Sequence, residues 1–221
     1  MRLFAAVRPP DDALAHLERA LDAVRGGPGE RPRGGLRWTA PQDRHVTLAF
    51  YGEVAEGLLD ELAADLAEVA AATAPFTATL AGAGVFDGRT LWVGCAGDGW
   101  GPLMTAAGRV GAELLGRPAD GRNRPHLTVA RTGRARPAGR RGGVRRGSRD
   151  GARPRSGAVH PGAGHPEAGR PEAIAHALAL YRGPSWQVHE VELVASRLGA
   201  GPGGTALHTV VHVAAVGAVA G

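Results

Sequence analysis

The chain contains no lysine: all 26 of its basic residues are arginine, set against 21 acidic residues in 221. It has a single cysteine, Cys95, so it forms no internal disulfide and supplies too few thiolates for a cysteine-built metal cage. A stapled secreted scaffold and a zinc finger are thereby excluded. Nowhere do about 18 apolar residues run together, and the opening Met1-Arg2-Leu3-Phe4 lacks the apolar core of a secretory signal. The expectation is a cytoplasmic, monomeric, globular protein with no membrane partner. A chain of this length buries a real core as one large domain or two small lobes.

What is plentiful is arginine, glycine and proline, and they are unevenly spread. Residues 133–170 hold ten Arg against two acids, Asp150 and Glu167, for a net charge of +8. The same stretch has ten Gly and four Pro, and its only large apolar residues are Val144 and Val159. Such a segment buries too little surface to offset its ordering entropy, so the expectation is a disordered insert. The rest of the chain has 16 Arg against 19 acids, a net −3. The sequence pI of about 10.7 therefore describes the insert, not the body. A phosphate-binding role for its Arg-Arg-Gly triplets is one reading, and a solvated insert without a ligand is the other.

Elsewhere apolar residues recur with alternating helical and strand periods. Strands are expected at 2–7, 44–50, 76–81, 90–96, 126–130 and 186–194, with a weaker one at 206–213. Helices are expected at 11–25, 57–73, 101–115 and 171–180, the first capped by Asp11 and carrying Leu14, Leu17, Leu21 and Val24 at helical spacing. Turns are expected at Gly82-Ala83-Gly84 and at Asp87-Gly88.

One short pattern occurs twice. His45-Val46-Thr47-Leu48-Ala49 is echoed by His126-Leu127-Thr128-Val129-Ala130. In a strand, residues two apart share a face, so each copy presents an imidazole and a hydroxyl together while its apolar residues face a core. With nine His and eleven Thr, about 0.45 His-x-Thr is expected by chance, so one copy means little and two matched copies mean much more. Two such segments facing each other supply two imidazoles for proton transfer and two hydroxyls to hold oxygens around a tetrahedral centre. Displacement at phosphorus needs one group to take the water proton and another to protonate the leaving oxygen. A metal site is the weaker reading, because no third ligand stands at metal spacing beside either copy. His160, His165, His208 and His212 receive no role, the last two being expected at the surface, and His189 is expected to be a structural histidine within a strand.

Paired His-x-Thr segments, one per half of an α/β chain of this size, resemble the 2H phosphoesterase superfamily. The flanks Met1-Arg2-Leu3-Phe4-Ala5-Ala6-Val7, Leu36-Arg37-Trp38, Phe50-Tyr51-Gly52-Glu53-Val54 and Arg124-Pro125 before the second copy resemble its bacterial RNA 2′,3′-cyclic phosphodiesterases, also called 2′-5′ RNA ligases. Tyr181-Arg182-Gly183-Pro184-Ser185-Trp186 and Val191–Leu198 resemble the closing passage of that family. The resemblance implies an α+β, bilobal fold: two antiparallel sheets with outer helices, related by a pseudo-twofold, with the active-site cleft between the lobes. Residues 1–132 and 171–221 would form this single domain. It also implies cofactor-free, metal-free hydrolysis of RNA 2′,3′-cyclic phosphate ends to 2′-phosphates, and ATP-independent 2′-5′ joining. His45 and His126 would be the catalytic pair, with His45 protonating the departing 3′-oxygen and His126 activating water, roles that the near-symmetry leaves interchangeable. Thr47, Thr128 and Arg131 would bind the phosphate. Trp38 and Phe50 are candidates to stack a base, with core packing the stronger expectation for both. Two other functions compete: an RNA-binding module built on the arginine-rich insert, and a 2H esterase acting on a small cyclic nucleotide. In place of the expected aromatic before the last strand stands Gly204-Thr205-Ala206.

Overall fold

A computed structural model describes residues 1–25, 35–116, 124–132 and 170–217. The arginine-rich insert falls outside the described residues, apart from Arg170. Nine strands are described: β1 (Arg2–Val7), β2 (Leu36–Trp38), β3 (Val46–Glu53), β4 (Phe76–Phe86), β5 (Thr90–Ala96), β6 (His126–Thr132), β7 (Arg182–Val188), β8 (Glu190–Arg197) and β9 (Leu207–Ala215). The helices are α1 (Asp11–Arg25), α2 (Leu59–Ala72), α3 (Trp100–Leu115) and α4 (Pro171–Ala177). The α+β fold class and the expected helices hold. Three strand expectations are corrected. Gly82-Ala83-Gly84 is not a turn but a bulged stretch inside the long β4. The run at 186–194 is two strands, broken at the exposed His189. The short β2 was not anticipated. Asp87-Gly88 does turn the chain from β4 into β5, both residues with positive φ, the backbone that a primed hairpin turn demands.

All pairings are antiparallel, in the order β7-β4-β5-β6-β3-β1-β8-β9, with β2 alongside β6. The two expected sheets are the halves, β7-β4-β5-β6 and β3-β1-β8-β9, of one nine-stranded sheet, and they meet at one residue pair, Val46 with Leu127. Reading outward from that pair, each half has four strands, which is the anticipated pseudo-twofold. Helices interlock the halves. α1 leaves β1 and packs on β7 of the other half, while α3 leaves β5 and packs on β3. Their apolar stripes (Leu14, Leu17 and Leu21 on α1; Leu103, Met104, Ala107 and Val110 on α3) join one continuous buried cluster with Leu3, Val46, Leu48, Leu127 and Val129. Burial of this kind is the main stabilising term.

A polar brace crosses the seam. Arg44, the residue before His45, has a fully buried side chain, and its Nη1 lies 2.5 Å from Oε2 of Glu18 on α1. Arg44 Nε donates to the Thr39 carbonyl at 3.2 Å, and Thr39 N–H donates to the Val129 carbonyl on β6 at 2.8 Å. Glu18 also pairs with Arg25, whose guanidinium lies 4.1 Å above the Trp38 ring. Burial would raise the Glu18 carboxyl, but Arg25 and Arg44 outweigh it and hold it below the ordinary carboxylate range. A carboxylate depressed in the folded state contributes stability above its unfolded value, and that contribution is lost as pH falls through the folded one. Glu18→Gln should therefore cost about 2 kcal/mol at pH 7 in urea unfolding, less than the 3–5 typical of a fully buried pair because Glu18 is partly solvated. The difference between the two proteins should shrink below about pH 4. A difference independent of pH would rule out this account of the brace.

Candidate active site

The histidines sit symmetrically about the Val46–Leu127 pair, each one residue before its partner in the contact. Both pairing residues are fully buried on the helix-covered face. Alternation then turns His45, Thr47, His126 and Thr128 to the opposite, open face. Carried one residue outward, the antiparallel register sets His45 across from Thr128, and Thr47 across from His126.

A second symmetric device lies just downstream. Thr47 pairs with Ala6 and Ala49 with Ala5, so Leu48 has no partner on β1. Thr128 pairs with Trp92 and Ala130 with Leu91, so Val129 has none on β5. Each is a β-bulge three residues after its histidine, and one extra residue reverses the alternation beyond it. Leu48 and Ala49, like Val129 and Ala130, both turn to the core. Phe50 and Arg131, each five residues after its histidine, therefore turn to the open face. An unbroken strand would have buried Arg131; the bulge brings it to the histidines. It also stands opposite Arg37 of β2 on the same face, a pairing of like charges that costs energy unless an anion lies beside it.

All five residues expected at the site thus share one face. Trp38 packs against the core, as the stronger expectation had it. Phe50 does not: it is 63% exposed, its ring 5.8 Å from Phe4.

Each histidine is set in aromatic surroundings. The His45 ring stacks on Phe4 with centroids 4.8 Å apart, and His208 of β9 packs edge-on against both, 5.4 Å from His45 and 5.3 Å from Phe4. His126 meets Phe86 edge-on at 5.0 Å and Trp92 at 6.3 Å, and the Arg124 guanidinium lies 5.0 Å from the Trp92 ring. His126 Nδ1 is 2.8 Å from the Arg124 carbonyl, two residues back. A carbonyl can only accept, so Nδ1 carries the hydrogen and Nε2 is the nitrogen left for chemistry. His45 bonds to the backbone of Asp43, again two residues back. Burial, then the charges of His208, His126 and Arg131, push His45 down to about 4, against the Asp43 bond that raises it. His45 is accordingly uncharged at neutral pH.

His208 is a correction: it was expected at the surface and lies half-buried at the site. Sequence offered no signal for it, nor for Phe4, Phe86 and Trp92, because their approach depends on register across strands distant in the chain. Among the described residues no group of three or more His, Cys, Asp or Glu is placed to hold a metal ion.

Comparison with known proteins bears on the family and the fold. The profile of the 2′-5′ RNA ligase superfamily matches residues 9–141. An RNA 2′,3′-cyclic phosphodiesterase of Archaeoglobus fulgidus is 32% identical over 143 residues, covering 62% of this chain and 76% of that protein. One of Thermus thermophilus is 37% identical over 142 residues, covering 59% and 68%. The crystal structure of TT0787, also from Thermus thermophilus, superposes with a TM-score of 0.65 at 27% identity, covering 98% of both chains. Escherichia coli LigT complexed with 3′-AMP has the same fold, with a TM-score of 0.59 at 21% identity over 97% of this chain and 96% of that one. With the family profile matching 133 of its 221 residues and the same fold, the chain belongs to the 2′-5′ RNA ligase superfamily of 2H phosphoesterases.

Proposed function

We propose that the chain hydrolyses RNA 2′,3′-cyclic phosphate ends to 2′-phosphomonoesters, using its two histidines as the proton-transfer pair. The observation that carries this reading is the arrangement of two His-x-Thr segments about one backbone pair, with Arg131 turned to the same face. Relatives named RNA 2′,3′-cyclic phosphodiesterase support the substrate class.

The cyclic phosphate would lie between the two segments, its non-bridging oxygens held by the Thr47 and Thr128 hydroxyls and the Arg131 guanidinium, whose planar fork suits a phosphoryl group. Water attacks phosphorus in line with the 3′-oxygen, His126 Nε2 takes the water proton, and His45 gives a proton to the departing 3′-oxygen. The P–O3′ bond breaks, leaving a 2′-phosphate and a 3′-hydroxyl. With a 5′-hydroxyl in place of water, the same steps give a 2′-5′ phosphodiester, and the strained cyclic ester supplies the energy.

In the empty site His45 is neutral, so its proton arrives with substrate. An anion beside the imidazole favours the charged ring and offsets the cations that depress it. Phe50 offers an exposed ring on which a base can stack. The Arg37–Arg131 pair favours a substrate with a further phosphate, which supports RNA over a mononucleotide.

On a cyclic-phosphate oligonucleotide the expected product is a 2′-phosphate, formed at the same rate with and without EDTA. His45→Ala and His126→Ala should each lose about 10²–10⁴-fold in kcat, and Arg131→Ala should raise KM. Arg37→Ala should raise KM for the oligonucleotide and leave that for a mononucleotide cyclic phosphate unchanged. Wild-type turnover in His126→Ala, or a 3′-phosphate product, would sink the reading. A second expectation concerns pH: the acidic limb of kcat/KM should lie near His45's value of about 4. Binding of uridine 2′,3′-cyclic phosphate, a monoanion whose phosphate does not titrate near neutral pH, to the slow His126→Ala variant at pH 6, followed by calorimetry in buffers of different ionisation enthalpy, should take up close to one proton. No uptake would mean that His45 stays neutral and acts as the base instead.

A further inference from the structure

Among the described imidazoles at the site, His208 is the one that the chemistry above leaves without work. It lies on β9 opposite Ser196 of β8, two strands beyond β1. The fold brings it there because β8 pairs with β1 and β1 with β3, so the last strand of the chain closes over the first histidine. Phe4, His45 and His208 form a three-ring cluster with all centroid distances between 4.8 and 5.4 Å. His208 Nδ1 is buried and has no hydrogen-bond partner among the described residues. The contact with His45 is therefore one of ring packing, the electropositive edge of one ring meeting its neighbour in a T-shaped arrangement.

We propose that His208 is a positioning residue for His45, fixing the pose of its ring and governing when it carries a proton. This rests on reading His45 as a member of the proton-transfer pair. The groups facing His45 are Phe4 from β1, His208 from β9, His126 and Arg131 from β6, and the Asp43 backbone from the turn before it. His208 itself faces Phe4 and the Asp43 carboxylate; burial lowers it, while Asp43 favours its charge. A charge on His208 opposes a proton on His45. The empty site thus keeps His45 neutral, and an arriving phosphate reverses the balance.

The test uses the whole chain with His208→Phe, which keeps a ring without a charge, and His208→Gln, which keeps polarity without a ring. Histidine ring NMR without substrate reads the His45 titration directly. In both variants the midpoint should move up from about 4 by about half a unit or more, towards the ordinary histidine value. The acidic limb of kcat/KM should move with it. His208→Gln, having lost the ring, should also lose about tenfold in kcat with KM changed less than about twofold. A purely structural role for His208 would leave the titration and the pH profile where they are, and that result in both variants overturns the proposal. A wild-type protein inert on cyclic phosphates whose His45 midpoint still moves in the variants would overturn the catalytic reading and support the coupling.

Discussion

Everything at the site depends on one backbone contact, the antiparallel pair of Val46 with Leu127. Each half of the sheet has its own hairpins and helices, yet among the described strands this pair alone stitches the two together. Because both pairing side chains are fully buried, the residues on either side of them must face away from the core. Two histidines and two threonines are thereby delivered to one surface by a single register. A slip of one residue would send all four into the core, and burial of Val46 and Leu127 resists that slip. The brace from Glu18 through Arg44 and Thr39 to Val129 acts on the same seam from the helix side, tying the residue beside His45 to the strand that carries His126.

The duplicated histidine segments and most helices were legible in the sequence, since both rest on local periodicity. What escaped was everything set by register. The bulges at Leu48 and Val129 leave no mark in composition, since an extra Leu or Val in an apolar strand reads as one more core residue. They nevertheless decide that Arg131 and Phe50 face the site. His208 was misplaced for the same reason: its ring neighbours, Phe4 on β1 and His45 just before β3, are more than 150 positions away in the chain. Gly82-Ala83-Gly84 read as a turn because glycine is the usual turn residue, whereas here it accommodates a bulge and the close approach of the Trp92 ring to Gly84. Arg44 carried no signal either, because a charged residue is expected outside unless a partner such as Glu18 awaits it.

Electrostatics also reads differently once the fold is known. The high isoelectric point belongs to the insert, while the body is slightly acidic. The cations that matter are few and placed: Arg131 beside Arg37 on the open face and Arg124 over Trp92, while His45 is kept neutral by burial and by neighbouring positive charge. Such a surface is unfavourable when empty and is relieved by an anion. The proposed affinity for phosphate rests on this local arrangement among the described residues.

In the proposed reaction His45 and His126 act together on one phosphorus atom. A double-mutant cycle of His45→Ala and His126→Ala on kcat/KM for a cyclic-phosphate RNA end tests it most directly. If the two imidazoles work as a unit, the double variant should be scarcely slower than either single one. Losses that multiply, so that the double variant falls by the product of the two, would mean that the histidines act independently and would contradict the account.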